Sequence, residues 1–167
     1  MKSKRIVFRV LAYALEVVLL WVLQSTPKLM PEVLGGRPFL LLAAALGFAV
    51  NEDVIPALIW GAVCGVLADL SAGGTVGWFA FSFTLACFAA ASLLDTYLTR
   101  NPLTAGVLAL GAVIAVLGLY FLFFRVFAGI PGSVDLFVKH YLSRMIYTYV
   151  CFFPLYFLDR FLHKVFA

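Results

Sequence analysis

Ile59-Trp60-Gly61-Ala62-Val63-Cys64-Gly65-Val66-Leu67-Ala68-Asp69-Leu70-Ser71-Ala72-Gly73-Gly74-Thr75-Val76-Gly77-Trp78 is the stretch on which the fold turns. Gly61 and Gly65 stand at i, i+4 on an apolar helix, a spacing that lets a second helix backbone come close where lipid supplies no hydrophobic drive for association. That helix ends in Asp69 and is followed by a Gly-rich turn, Ser71 to Thr75, into another apolar run. A carboxylate placed there meets the negative end of the helix dipole beside a low-dielectric medium, so it needs a partner. Two arrangements fit the sequence. Asp69 caps the Ser71–Gly74 turn through backbone amides, or it pairs with Arg125 or Arg144 and fixes the third helix against the fifth or sixth.

Working outward, the chain of 167 residues is 65% apolar and 12% charged, against about a quarter charged in a soluble domain. One water-soluble core of this size cannot hide so much apolar surface, so the bilayer is the expected solvent and the whole chain one membrane domain. The net charge of +4 is no nucleic-acid footprint, because the basic residues stand at segment ends, where they orient helices and meet headgroups. Cys64, Cys87 and Cys151 lie alone in separate apolar runs. They read as apolar filler, and neither a disulfide framework nor a metal or cofactor site is expected.

Six apolar segments follow one another, at about 6–26, 38–51, 54–70, 76–94, 103–126 and 136–158. They are too uniformly apolar for a barrel, so an all-α integral membrane bundle of six transmembrane helices is expected. The first follows a basic start (Lys2, Lys4, Arg5, Arg9), contains Glu16 and lacks an A-x-A site, which predicts a retained signal anchor rather than a cleaved signal peptide. The second is short for a span. Six crossings put both termini on one side. Lys2, Lys4, Arg5, Arg9, Arg100, Arg160 and Lys164 then share that side, which predicts cytoplasmic termini.

Among residues inside the apolar runs, Glu16 stands out. It lies ~15 Å deep at the helical rise, where a carboxylate costs roughly 2.5–3.5 kcal/mol. It is expected to face the bundle, paired with Arg144, ~10–12 Å deep from the same face, or else to be neutral and hydrogen-bonded to a Tyr or Ser, or to face a partner protein. Arg125 is expected to snorkel from the end of the fifth segment. His140 and His163 read as unaccompanied interfacial residues. With no GxSxG, HExxH or P-loop, no catalytic residue is expected. The many Phe near segment ends read as an interface belt.

The layout of a short basic start and six apolar segments, with Gly65-Val66-Leu67-Ala68-Asp69-Leu70 leading through a small-residue turn to Val76-Gly77, resembles the rod shape-determining protein MreD family. The layout covers the chain; the motif covers Gly61 to Gly77. The resemblance implies a non-enzymatic subunit of the bacterial cell-elongation complex in the cytoplasmic membrane. Such a subunit binds the bitopic MreC and helps couple MreB filaments to the peptidoglycan synthases. Gly61, Gly65, Asp69 and Gly77 would then be structural or partner-contact residues. The implied fold is similar to the substrate-binding subunits of energy-coupling-factor vitamin transporters, which defines the rival function. That class docks its coupling protein through Ala-x-x-x-Ala on the first helix, and here Ala12 is followed by Glu16. Small residues at Ala86/Ala90 and Gly111/Ala115 repeat the Gly61/Gly65 spacing, as lateral helix packing requires.

Overall fold

The computed structural model describes residues 2–26, 37–72, 77–127, 129, 135 and 137–166. The described residues form helices α1 (Lys2–Ser25), α2 (Leu40–Asn51), α3 (Val54–Ala72), α4 (Trp78–Thr96), α5 (Pro102–Phe121) and α6 (Leu142–Phe166). A π-helical turn, Leu122–Val126, extends α5, and another, Phe137–Tyr141, precedes α6. The 27–36 and 73–76 connections, most of 128–136, and the side chains of Lys2, Lys4, Arg5 and Arg125 lie outside the described residues.

The helices run alternately up and down. Arg9 near the start of α1 meets His163 near the end of α6, so both chain ends lie at one end of the bundle, called here the terminal end. At the opposite, distal end, Trp21 of α1 donates its indole N–H to Ser71 of α3 at 2.8 Å.

The axis of the bundle is α2. Every residue from Leu40 to Val50 is buried, and α2 touches each of the other five helices. A sequence apolar on all sides, Leu-Leu-Leu-Ala-Ala-Ala-Leu-Gly-Phe-Ala-Val, has no face to give to solvent or lipid and belongs in a core. Its buried ends obey the need to satisfy terminal N–H and C=O groups. At its start, Phe39 N–H donates to the Thr148 hydroxyl of α6 at 2.9 Å and Leu41 N–H to the Gln24 side-chain oxygen of α1 at 3.2 Å. At its end, Arg100 donates to the Asn51 carbonyl at 3.1 Å.

The outer surface is apolar instead. Ile6, Leu11, Leu15, Val18 and Val22 of α1, and Val107, Leu110, Ile114 of α5, are exposed. With an apolar core and an outer surface that is aliphatic as well, lipid is the solvent that fits, and the chain is a multi-pass, membrane-embedded helical protein. Among the described residues, four stretches are long and apolar enough to cross a bilayer: Ile6–Ser25, Val54–Ala72, Trp78–Thr96 and Pro102–Phe124.

The last segment differs from its expected bounds. Helix α6 begins at Leu142 after the π turn and runs through Asp159 to Phe166, well beyond the expected end at Leu158. Its buried face (Met145, Thr148, Phe152, Tyr156, Asp159) continues at helical spacing past the expected end,.

Candidate functional site

The Gly61–Gly77 motif makes the joint between α3 and α4, the most extensive helix pair in the bundle. At Gly65 a Cβ would lie 2.5 Å from Ala80 Cα and 2.6 Å from the Phe79 carbonyl oxygen, and at Gly61 it would lie 2.9 Å from Cys87 Sγ. Hydrogen in place of a side chain is what lets the two backbones meet. Asp69 then secures the register. Its Oδ1 accepts from Phe79 N–H at 3.1 Å and its Oδ2 from Ala80 N–H at 2.9 Å. These are free donors at the start of α4, where the positive dipole end also favours an anion. Gly77, the residue before α4, has φ +83°, in the left-handed region that favours glycine,.

The sequence left open whether Asp69 caps the following turn or pairs with an arginine; among the described residues it caps the next helix. Residues 73–76 and the Arg125 side chain, also invoked for Asp69, lie outside the described residues. Asp69→Ala removes two charge-assisted bonds and is expected to lower stability by about 2 kcal/mol, with Asp69→Asn keeping part of it. Thermal melts of the detergent-solubilised variants check this, and an unchanged midpoint for Asp69→Ala would contradict the cap.

Glu16 is buried, but not against Arg144. The Arg144 guanidinium lies over the Phe39 ring at 4.7 Å, near the distal end. Glu16 instead meets the carboxyl of Asp159, which is fifteen residues beyond Arg144 on the same helix, about 22 Å along its axis. The expected Glu16–Arg144 pair is therefore corrected to a carboxyl–carboxyl pair between α1 and α6. Glu16 is 8% and Asp159 0% exposed, and no donor from another described residue reaches their four oxygens. Two carboxylates have no hydrogen to offer each other, so their contact is a hydrogen bond when one is a carboxylic acid. Gly47 of α2 makes the room: a Cβ there would overlap Asp159 Oδ2.

One turn toward the terminal end, Glu52 Oε1 gathers three helices. It accepts from the Tyr13 hydroxyl at 3.0 Å, faces Arg9 Nε at 3.3 Å and lies 3.1 Å from His163 Nδ1. His163, expected to stand unaccompanied, is thus part of a polar clasp of α1, α2 and α6. Its Nδ1 also lies 3.4 Å from Arg9 Nη1, and the closer carboxylate suits an Nδ1–H donor.

On the outer surface, an apolar groove of about 410 Å³ runs between α4 and α5 from Trp78 to Leu93. Fifteen helical rises between those two residues make it about 22 Å long. Small residues keep it open: Ala86, Ala89 and Ala90 on one wall, Gly111, Ala112 and Ala115 on the other. A Cβ at Gly111 would meet nothing within 4 Å. The groove's chemistry is shape alone, suited to an apolar cylinder approaching from the side.

Sequence reasoning missed Asp159 and Glu52: Asp159 stands one residue past the expected end of the sixth segment, and Glu52 falls between the expected second and third segments. Comparison with protein-family models, with characterised proteins and with solved structures finds no match for this chain.

Proposed function

We propose that this chain is a non-enzymatic, MreD-like subunit of the bacterial cell-elongation complex, seated in the cytoplasmic membrane with both termini in the cytoplasm. It binds a bitopic MreC-like partner and so helps link MreB filaments to the peptidoglycan synthases. The observation that carries this reading is the α4–α5 groove. Ala86/Ala90 and Gly111/Ala115, two of the small-residue pairs at helix-packing spacing, line it; Gly111 and Ala115 are exposed and Ala86 is half-buried, while Ala90 is buried at its floor,. Gly61/Gly65, the third pair, is filled by α4, so partner binding falls to the groove.

Support also comes from the segment layout and from the Gly-x-x-x-Asp-Leu motif joining two successive helices. The bias of Arg and Lys toward the terminal end favours the cytoplasm for that end.

The test fills the groove. Gly111→Leu with Ala115→Leu adds side chains into open space, so the protein should remain folded while association with the MreC-like partner weakens by about tenfold, about 1.4 kcal/mol. Co-purification from membranes and restoration of rod shape in depleted cells are the two readouts. Undiminished partner recovery from a folded double variant would remove the groove from the interface, and a vitamin co-purifying with the wild type would favour the transport-subunit alternative.

A further inference from the structure

At the terminal end, a cavity of about 170 Å³ opens between the end of α2, the α4–α5 connection and the last turns of α6. Arg100, Arg160, His163 and Lys164 line it together with Asn51 and Tyr156, and no carboxylate is among its lining residues. Two of the four basic groups are already engaged. Arg100 Nη2 lies 2.6 Å from Asp95 and 3.6 Å from Asp53, while its Nη1 serves the Asn51 carbonyl. His163 is held by Glu52.

The other two have spare capacity. Arg160 donates from Nη1 to the Tyr156 hydroxyl at 3.0 Å and lies 6.0 Å from that ring centre. Neither Arg160 nor Lys164 has a carboxylate partner among the described residues. They stand one turn apart on α6, so their heads share a face. Cations in a last turn also suit the helix dipole, but that does not account for a concavity ringed by cations from two separate elements. The volume is below the roughly 300 Å³ at which sites for whole drug-sized ligands begin; it suits a headgroup or a small anion.

We propose that this cavity binds a phosphate ester, and that its source is the headgroup of an anionic phospholipid. The site lies where apolar helices end, the level at which headgroups sit, and basic pockets between membrane helices attract such groups at that depth. Arg160 supplies the planar fork that matches two phosphate oxygens, Lys164 a mobile second charge, and the Tyr156 hydroxyl orients the arginine.

The experiment uses the full chain in detergent, with native mass spectrometry counting bound lipid. Phosphatidylglycerol and phosphatidylcholine are compared, and inorganic phosphate and glycerol phosphate are offered as soluble competitors. The wild type should prefer phosphatidylglycerol, and Arg160→Gln with Lys164→Gln should lose about fivefold for each charge removed. Lys139→Gln, at the distal end, should change nothing. Added salt should erode the preference in the wild type, which keeps the test open if the double variant fails to fold. Equal retention of both lipids, or full preference in a folded double variant, would overturn the proposal. Displacement by millimolar inorganic phosphate would overturn the lipid as source.

Discussion

Gly65→Leu is expected to leave little folded protein. The leucine Cβ alone would sit 2.5 Å from Ala80 Cα and 2.8 Å from Ala80 N. These are backbone atoms of α4 and cannot swing aside as a side chain can. Relief requires α4 to move away from α3, which would pull Phe79 and Ala80 off the Asp69 carboxylate. Overpacking of a closed joint costs about 1–3 kcal/mol, more where backbone must shift. Gly65→Ala should therefore lose about 3 kcal/mol, with the leucine variant beyond that. Gly61→Ala should fall short of it, because its nearest neighbour is the Cys87 side chain. Gly118→Ala is the control: its Cβ meets nothing within 4 Å, and a helical glycine replaced by alanine gains about 0.5–1 kcal/mol. Thermal melts followed by fluorescence-detected size exclusion order the four variants. If Gly65→Ala melts with the wild type, the α3–α4 joint is not as described.

Glu52→Ala comes next in size. Glu52 is 4% exposed, and its Oε1 serves Tyr13, Arg9 and His163 at once. Removing one partner of a buried ion pair leaves the other charge without compensation, at a cost of about 3–5 kcal/mol. Arg9 is half-buried and can turn partly toward solvent, so the lower figure is expected. Glu52→Gln keeps an acceptor oxygen without the charge and should fall between. Glu16→Gln makes an instructive contrast. The amide brings hydrogens to a pair that otherwise needs a proton to bond, so this variant should lie within about 1 kcal/mol of the wild type. Equal losses for Glu52→Ala and Glu16→Gln would mean that the two acidic centres do not differ as their surroundings suggest.

The sequence carried the helical character and the α3–α4 hairpin in plain view, because each rests on local rules: apolar runs of membrane length, glycines one turn apart, a short Gly-rich turn. Which helix Asp69 serves stayed open, since in the sequence the acid stands at the end of one helix and not at the start of the next. The order of importance of the segments was harder to read. Leu40–Asn51 looked like the weakest span because it is short, yet its lack of a polar face was the available sign that protein surrounds it. Asp159 had a sign too. Thr148, Phe152, Tyr156 and Asp159 keep one helical stripe, and following that stripe past Leu158 would have led to the acid. That Glu16 faces this acid, rather than Arg144, is not a local property. Depth measured along a single helix gives a height, and α6 passes Glu16's height at Asp159, not at its start. The clasp on Glu52 depends on the same long-range packing and left no local trace.

The enclosed axis has a consequence for how the protein is made. Twelve residues of α2 reach about 18 Å, well short of a hydrocarbon layer about 30 Å thick. During synthesis α2 emerges before four of its five neighbours exist. Alone it would strand unpaired backbone ends at a depth where nothing hydrates them. A waiting step in biogenesis is therefore expected: α2 should stay at the insertion machinery or at the membrane surface until α3 and α4 follow, with the final seal when α6 brings Thr148 and Asp159 into place.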